Sequence, residues 1–233
     1  METGAAHPRP PNDDTGDTLS AWLKAATWGE HQQAERQPFV QALVEGRLPS
    51  AGYAAMVAQH YAIYRALEEV GHALTSDPVA GRVLFPELVR TPALERDLAA
   101  LHGPGWRTHT DPDTALTPAA RTYVARLRQM VDHPAGYVAH HYTRYLGDLS
   151  GGQFIRDSVV RAYGLADGGA TFYDFDRIAS IPRFKRDYRS RIDALGLDEA
   201  GRRQLVSEAR LAYQLNIELL ADLGRGYLPE LVS

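Results

Sequence analysis

From about residue 18 to residue 224, apolar and small residues return every three or four positions, and no stretch of useful length alternates as a β-strand would. That pattern leaves packed helices as the architecture. Leu19, Leu23, Ala26 and Ala34 mark a first helix, with Thr18 or Ser20 as its cap. Ser50 caps a longer helix in which Tyr53, Met56, Val57, Tyr61, Tyr64, Leu67 and Leu74 keep one face, and which stops before Asp77-Pro78. Helices opened by Thr91-Pro92 and Thr117-Pro118 end at Gly103-Pro104 and near Pro134. The pattern stays helical from Ala135 to Tyr163, with Gly164 as the stop. Residues 164–180 read as a loop, and two further helices, 181–195 and 198–223, end at Gly196 and Gly224. No internal repeat or Ser/Gly linker divides the chain. The expectation is a single-domain all-α fold of about seven to eight helices over residues 18–224, with a disordered lead-in at 1–17 and a short tail at 225–233.

Composition narrows the chemistry. The chain has no cysteine, which excludes disulfides, iron–sulfur clusters and thiolate-ligated haem, and leaves histidine, carboxylate or tyrosinate to hold any metal. A net charge of −4 argues against non-specific nucleic-acid binding. No apolar run approaches the roughly 20 residues of a membrane span, and the N-terminus lacks the apolar core of a signal peptide, so the expected location is the cytoplasm. Of 25 basic residues only Lys24 and Lys185 are lysine.

The costly feature is Tyr142-Thr-Arg-Tyr-Leu-Gly-Asp-Leu-Ser-Gly-Gly-Gln153, where Gly147, Gly151 and Gly152 fall within one helix. Interior glycines cost about 1 kcal/mol each relative to alanine, so the trio gives up about 3 kcal/mol. Gly147 and Gly151 share a face. Two readings account for the loss: close packing of another helix, or a flat ligand lying on bared backbone. Asp148 beside them puts a carboxylate into a mostly apolar helix. On the first helix Lys24, His31 and Glu35 fall at i, i+7 and i+11, close to one line. A cation, an imidazole and a carboxylate so spaced suit an anionic haem, although a lone helical histidine is more commonly structural or solvated.

YTRYLGDLSGGQ at 142–153 resembles the signature segment of the haem oxygenases, and LKAATWGEHQQAE at 23–35 resembles their proximal helix. YAIYRALEE at 61–69, FKRDYRSR at 184–191 and AYQLNIELL at 212–220 are also similar, in the family's order and spacing. The resemblance covers about residues 18–223. It implies haem b as both cofactor and substrate, sandwiched between a proximal helix and a Gly-kinked distal helix. His31 is then the axial iron ligand and Glu35 the partner of its ring. Gly147 and Gly151 lie over the haem, Asp148 holds distal water together with Arg144 and Tyr64, and Lys24, Tyr142, Lys185 and Arg189 grip the propionates. Both lysines of the chain land on propionate positions.

The implied reaction is oxidative opening of haem at a meso carbon, α by expectation, to biliverdin, carbon monoxide and ferrous iron. It uses dioxygen and electrons from a ferredoxin or flavodoxin with its NAD(P)H reductase. The basic run Arg183, Lys185, Arg186, Arg189 and Arg191, against Asp187 alone, is either a solvated face or the dock for that acidic donor. The chain ends at Ser233 without the apolar tail of the membrane-anchored members, which suggests a bacterial-type enzyme with no membrane anchor; a monomer is the separate expectation. Two other classes compete. A non-catalytic haem carrier or sensor on the same fold needs neither Asp148 nor the bare glycine face. A di-iron bundle needs Glu-x-x-His on two helices, and only Glu69-Val-Gly-His72 has that spacing. The histidines other than His31 read as structural or solvated.

Overall fold

The computed structural model describes residues 18–109, 116–165 and 168–228, so the expected lead-in at 1–17 and the last five residues of the expected tail lie outside the described residues. Ten α-helical segments follow one another: α1 Leu19–Ala26, α2 Trp28–Glu35, α3 Pro38–Val44, α4 Ser50–Ala73, α5 Thr91–His102, α6 Trp106–His109, α7 Pro118–Gln129, α8 Pro134–Tyr163, α9 Ile181–Asp193 and α10 Glu199–Tyr227. Among the described residues there is no strand, and no helix is long and apolar enough to cross a membrane.

Local chemistry sets most boundaries. Thr18 and Thr117 cap α1 and α7 by accepting from the backbone N–H of Ala21 and Ala120. Gly103, Gly164 and Gly196 follow α5, α8 and α9 with positive φ of 83°, 68° and 69°, the conformation that glycine adopts at least cost. The first helix is two pieces rather than one. At Thr27 the backbone leaves helical geometry, and its hydroxyl donates to the Leu23 carbonyl at 2.8 Å, closing α1. The two pieces then differ sharply: α1 buries Leu19, Trp22, Leu23 and Ala26, whereas α2 buries no residue at all. Ser50 is the first helical residue of α4 rather than its cap, with Pro49 before it. The Pro38–Val44 helix is an element the periodicity did not announce. α10 passes through Gly224 to Tyr227, so most of the described part of the tail is helical.

α10 lies along α8 and α7, and carries α2 and α3 on its flank; α4 packs against α5, α7 and α8. The core is rich in tyrosine, with Tyr53, Tyr64, Tyr123, Tyr137, Tyr145 and Tyr188 among its largest fully buried side chains. Buried phenols need partners. Tyr53 donates to the Gly169 carbonyl at 2.7 Å, Tyr145 to Glu68 at 3.2 Å, and Tyr188 is joined to His141 Nδ1 at 2.8 Å. Arg126 of α7 donates twice to Glu208 of α10, whose Oε1 also takes Nε2 of buried His140 on α8 at 2.9 Å. This tie locks three long helices together. It ties His140 into the helix packing, while His141 is held separately by Tyr188.

Candidate active site

The glycines of α8 do different things. A Cβ on Gly152 would stand 3.1 Å from the Tyr173 ring, so that glycine serves helix packing. A Cβ on Gly147 or Gly151 would meet nothing within 4 Å. No protein atom requires glycine at those two positions; both open onto a cavity of about 300 Å³. α2 forms the opposing wall with His31 and Glu35, and α10 contributes Tyr213, Asn216 and Leu220.

His31 is caged but not satisfied. Its ring stacks on Trp28, with centroids 5.3 Å apart and planes 9° apart, and meets the edge of Tyr213 at 6.0 Å. Nδ1 faces Glu35 Oε2 at 3.6 Å, beyond hydrogen-bond reach, and is buried with no hydrogen-bond partner. α2 itself is fastened to α10 by Arg210 Nε donating to Glu30 at 2.5 Å.

Opposite, Tyr64 of α4 donates its hydroxyl to Asp148 Oδ2. Burial pushes the Asp148 carboxyl up to about 6, against the opposing pull of Arg144 and of the Tyr64 hydrogen bond. Arg144 is buried, lies over the Tyr64 ring at 4.9 Å, and donates to Asn216 Oδ1 at 2.7 Å. It therefore braces the Tyr64–Asp148 pair from behind while its Nε stays buried without a partner. Charge neighbours raise the Arg144 guanidinium despite its burial, so it is a permanent cation.

Lys24, Tyr142, Lys185 and Arg189 stand outside the cavity lining, at its rim. Lys185 donates to Ser150, which does line the cavity, at 3.1 Å. Its ammonium is lowered by partial burial, then by Arg189 and Lys24, which places the three cations together. Among the described residues none of the three has an ion-pair partner. Tyr142 is buried, its phenol pushed up to about 12 by desolvation, with Arg189 beside it.

The structure thus brings His31, Glu35, Arg144, Gly147, Asp148 and Gly151 to one cavity, with Tyr64 behind and the cations at the edge. It adds side chains that the sequence reading left aside. His60, Phe172, Tyr173, Tyr213 and Asn216 line the same cavity. His60, read as structural or solvated, is held neutral by burial and by Arg144, packed against Phe172 at 5.5 Å. Its signal was position: it precedes Tyr64 by one helical turn and shares its face.

The residues fit a flat, anionic, metal-bearing ligand. A bare backbone face offers room, an imidazole opposes it, and unpaired cations wait at the rim. An all-helical fold with such a site defines the haem oxygenase class. The heme oxygenase family model matches residues 17–222. The human "Heme oxygenase 1" is 41% identical over 219 residues, covering 92% of this chain and 75% of that protein. The "Heme oxygenase 1" of Nostoc is 36% identical over 207 residues, covering 88% and 85%. The crystal structure of heme oxygenase-1 from the cyanobacterium Synechocystis, in complex with heme, superposes with a TM-score of 0.85 at 35% identity, covering 90% of this chain and 93% of that one. The chain belongs to the heme oxygenase family.

Proposed function

We propose that this protein opens haem at a meso carbon to biliverdin, carbon monoxide and ferrous iron, using dioxygen and electrons delivered by a ferredoxin or flavodoxin. The observation that carries the reading is the pair Gly147 and Gly151, glycines that no protein contact demands and that line the same cavity as His31.

Haem b, when bound, is the substrate and also supplies the iron at which dioxygen is reduced. His31 would hold that iron, and Glu35, 3.6 Å from its Nδ1, would fix the tautomer. Gly147 and Gly151 leave their side of the cavity free of side chains, which would give a small diatomic ligand room beside bound haem. Asp148 has one oxygen occupied by Tyr64, which leaves the other to hold water. With its carboxyl near pH 6 it can pass a proton at neutral pH. Lys24, Lys185, Arg189 and Tyr142 would hold the propionates and so limit rotation of the ring in its plane, with α cleavage as the expected outcome.

The test is titration with haemin, then addition of ferredoxin, its reductase and NADPH in air with catalase present. One equivalent should give a sharp Soret band, which is then lost as a red biliverdin band grows. A ferrous–oxygen spectrum that only autoxidises would sink the oxygenase reading in favour of a haem carrier.

A further inference from the structure

Of the tryptophans, Trp22 and Trp106 are buried at 8% and 2% exposure, whereas Trp28 is 49% exposed. It is the first residue of α2, the helix that buries nothing. Half-exposed indole on such a helix contributes little to folding. What it does have is one ring partner: the imidazole of His31, three residues on and on the same face, in a near-parallel stack.

The other groups around that imidazole hold it weakly. Glu35 stands 3.6 Å from Nδ1 with its side chain 65% exposed, and Tyr213 offers only an edge. The terminal torsion of histidine is broad and roughly two-fold, so an unrestrained ring must be ordered when a ligand binds. A coplanar indole removes that freedom in advance, because rotating the ring about this torsion breaks the stack.

We propose that Trp28 is a positioning residue that fixes the plane of the His31 imidazole before haem arrives. This rests on His31 being the axial ligand. It also gives a reason for a large apolar side chain at an exposed position where the fold itself needs none.

The experiment compares Trp28→Phe, Trp28→Leu and Trp28→Ala, since leucine covers the ring but cannot stack on it. In the haem-free protein the His31 ring protons should carry the upfield ring-current shift of an overlying aromatic. Trp28→Phe should keep it in part, and both aliphatic variants should lose it. In the ferric, cyanide-bound haem complex the spread of the haem methyl shifts follows the plane of the axial imidazole. Trp28→Phe should retain the wild-type pattern, whereas Trp28→Leu and Trp28→Ala should show a narrowed one, with haem transfer to apomyoglobin about five- to tenfold faster. Thermal stability of the haem-free protein should stay unchanged across the set. Wild-type methyl shifts and release rates in Trp28→Leu would overturn the proposal while leaving His31 as ligand. Axial imidazole signals that persist in His31→Ala would instead remove the ligand assignment on which it stands.

Discussion

The Tyr64 hydroxyl reaches from α4 to Oδ2 of Asp148 on α8, and Arg144, stacked over the Tyr64 ring, is held in turn by Asn216 of α10. Three helices thus converge on one carboxylate. The arrangement keeps Asp148 in place at a cost, because the same burial raises its carboxyl from 3.8 to about 6.

Replacing Asp148 by Asn should therefore stabilise the haem-free protein while disabling it. A native-state value above the unfolded one means that the stability is intact below about pH 4 and is lost as pH rises through about 6. A shift of about two units corresponds to about 3 kcal/mol. Urea unfolding at pH 7.5 should show Asp148→Asn more stable by about 1–3 kcal/mol, with the gap closing towards pH 4. Haemin affinity should hold, and biliverdin formation should fall at least tenfold.

The glycine trio should split by function. Gly147→Ala and Gly151→Ala add a Cβ to open space, so each should raise the stability of the haem-free protein by up to about 1 kcal/mol through helix propensity, while weakening haemin binding. Gly152→Ala should gain nothing, because its Cβ would press on the Tyr173 ring. Paired thermal melts and haemin titrations separate the cases.

Glu208 answers to pH in the opposite sense from Asp148. Burial alone would raise its carboxyl, but hydrogen bonds from Arg126 and His140 win and bring it down to about 2. A depressed value contributes stability above about pH 4.5, which is lost as pH falls through about 2. Glu208→Gln should cost about 2–3 kcal/mol at pH 7, with the difference shrinking steadily in acid. Chemical denaturation at several pH values measures it.

At the rim, reversing charge should redirect the reaction. Lys185→Glu with Arg189→Glu removes two of three clustered cations, so bound haem should lose affinity and its fixed in-plane orientation. Chromatography of the product should show β or δ isomers beside the α isomer of the wild type.

The basic run on α9 is smaller than its sequence suggests. Arg191 donates to the Arg82 carbonyl at 3.0 Å and lies over Phe85, so it serves the fold. Arg183, which faces Asp187 at 4.0 Å, and Arg186 would then be what the proposed acidic donor meets beside the rim cations Lys185 and Arg189. Raising salt from about 50 to 500 mM, well past the point at which the Debye length drops below 10 Å, should slow donor-driven haem reduction severalfold and leave dithionite reduction unchanged.

Legibility followed range. Caps, stops and the tripled glycine are local signals, and the helices opened by Thr91-Pro92 and Thr117-Pro118 and the stop at Gly164 came from them, whereas the Trp106–His109 helix was not announced and α10 ran past the expected stop at Gly224. The break at Thr27 did not, since a threonine that bonds its own preceding turn looks like any helical threonine in sequence. Nor did the Pro38–Val44 helix, too short for periodicity to register. In the site, Asp148 and the glycines stood out because each is an expensive choice at its position, whereas His31 was marked by its spacing from Lys24 and Glu35 and by the family resemblance. Asn216 and Tyr213 did not, since a polar residue and a tyrosine on an amphipathic helix cost nothing until a partner from another helix meets them. The split between Gly152 and its neighbours depended on Tyr173, which reaches α8 from a loop and leaves no mark on the signature segment itself.

A helix that buries nothing has a consequence for the working cycle. An enzyme that consumes haem dismantles one wall of its own interior at every turnover and must refill it before the next. α2 is joined to α1 through a non-helical residue, and it is held to α10 by the Glu30–Arg210 pair and by Tyr213 against His31. The scaffold behind it, held by the Arg126–Glu208–His140 tie, can stay shut meanwhile. If α2 opens by itself, loading and unloading would be local to one short helix, and the barrier to releasing product would be separate from the barrier to unfolding.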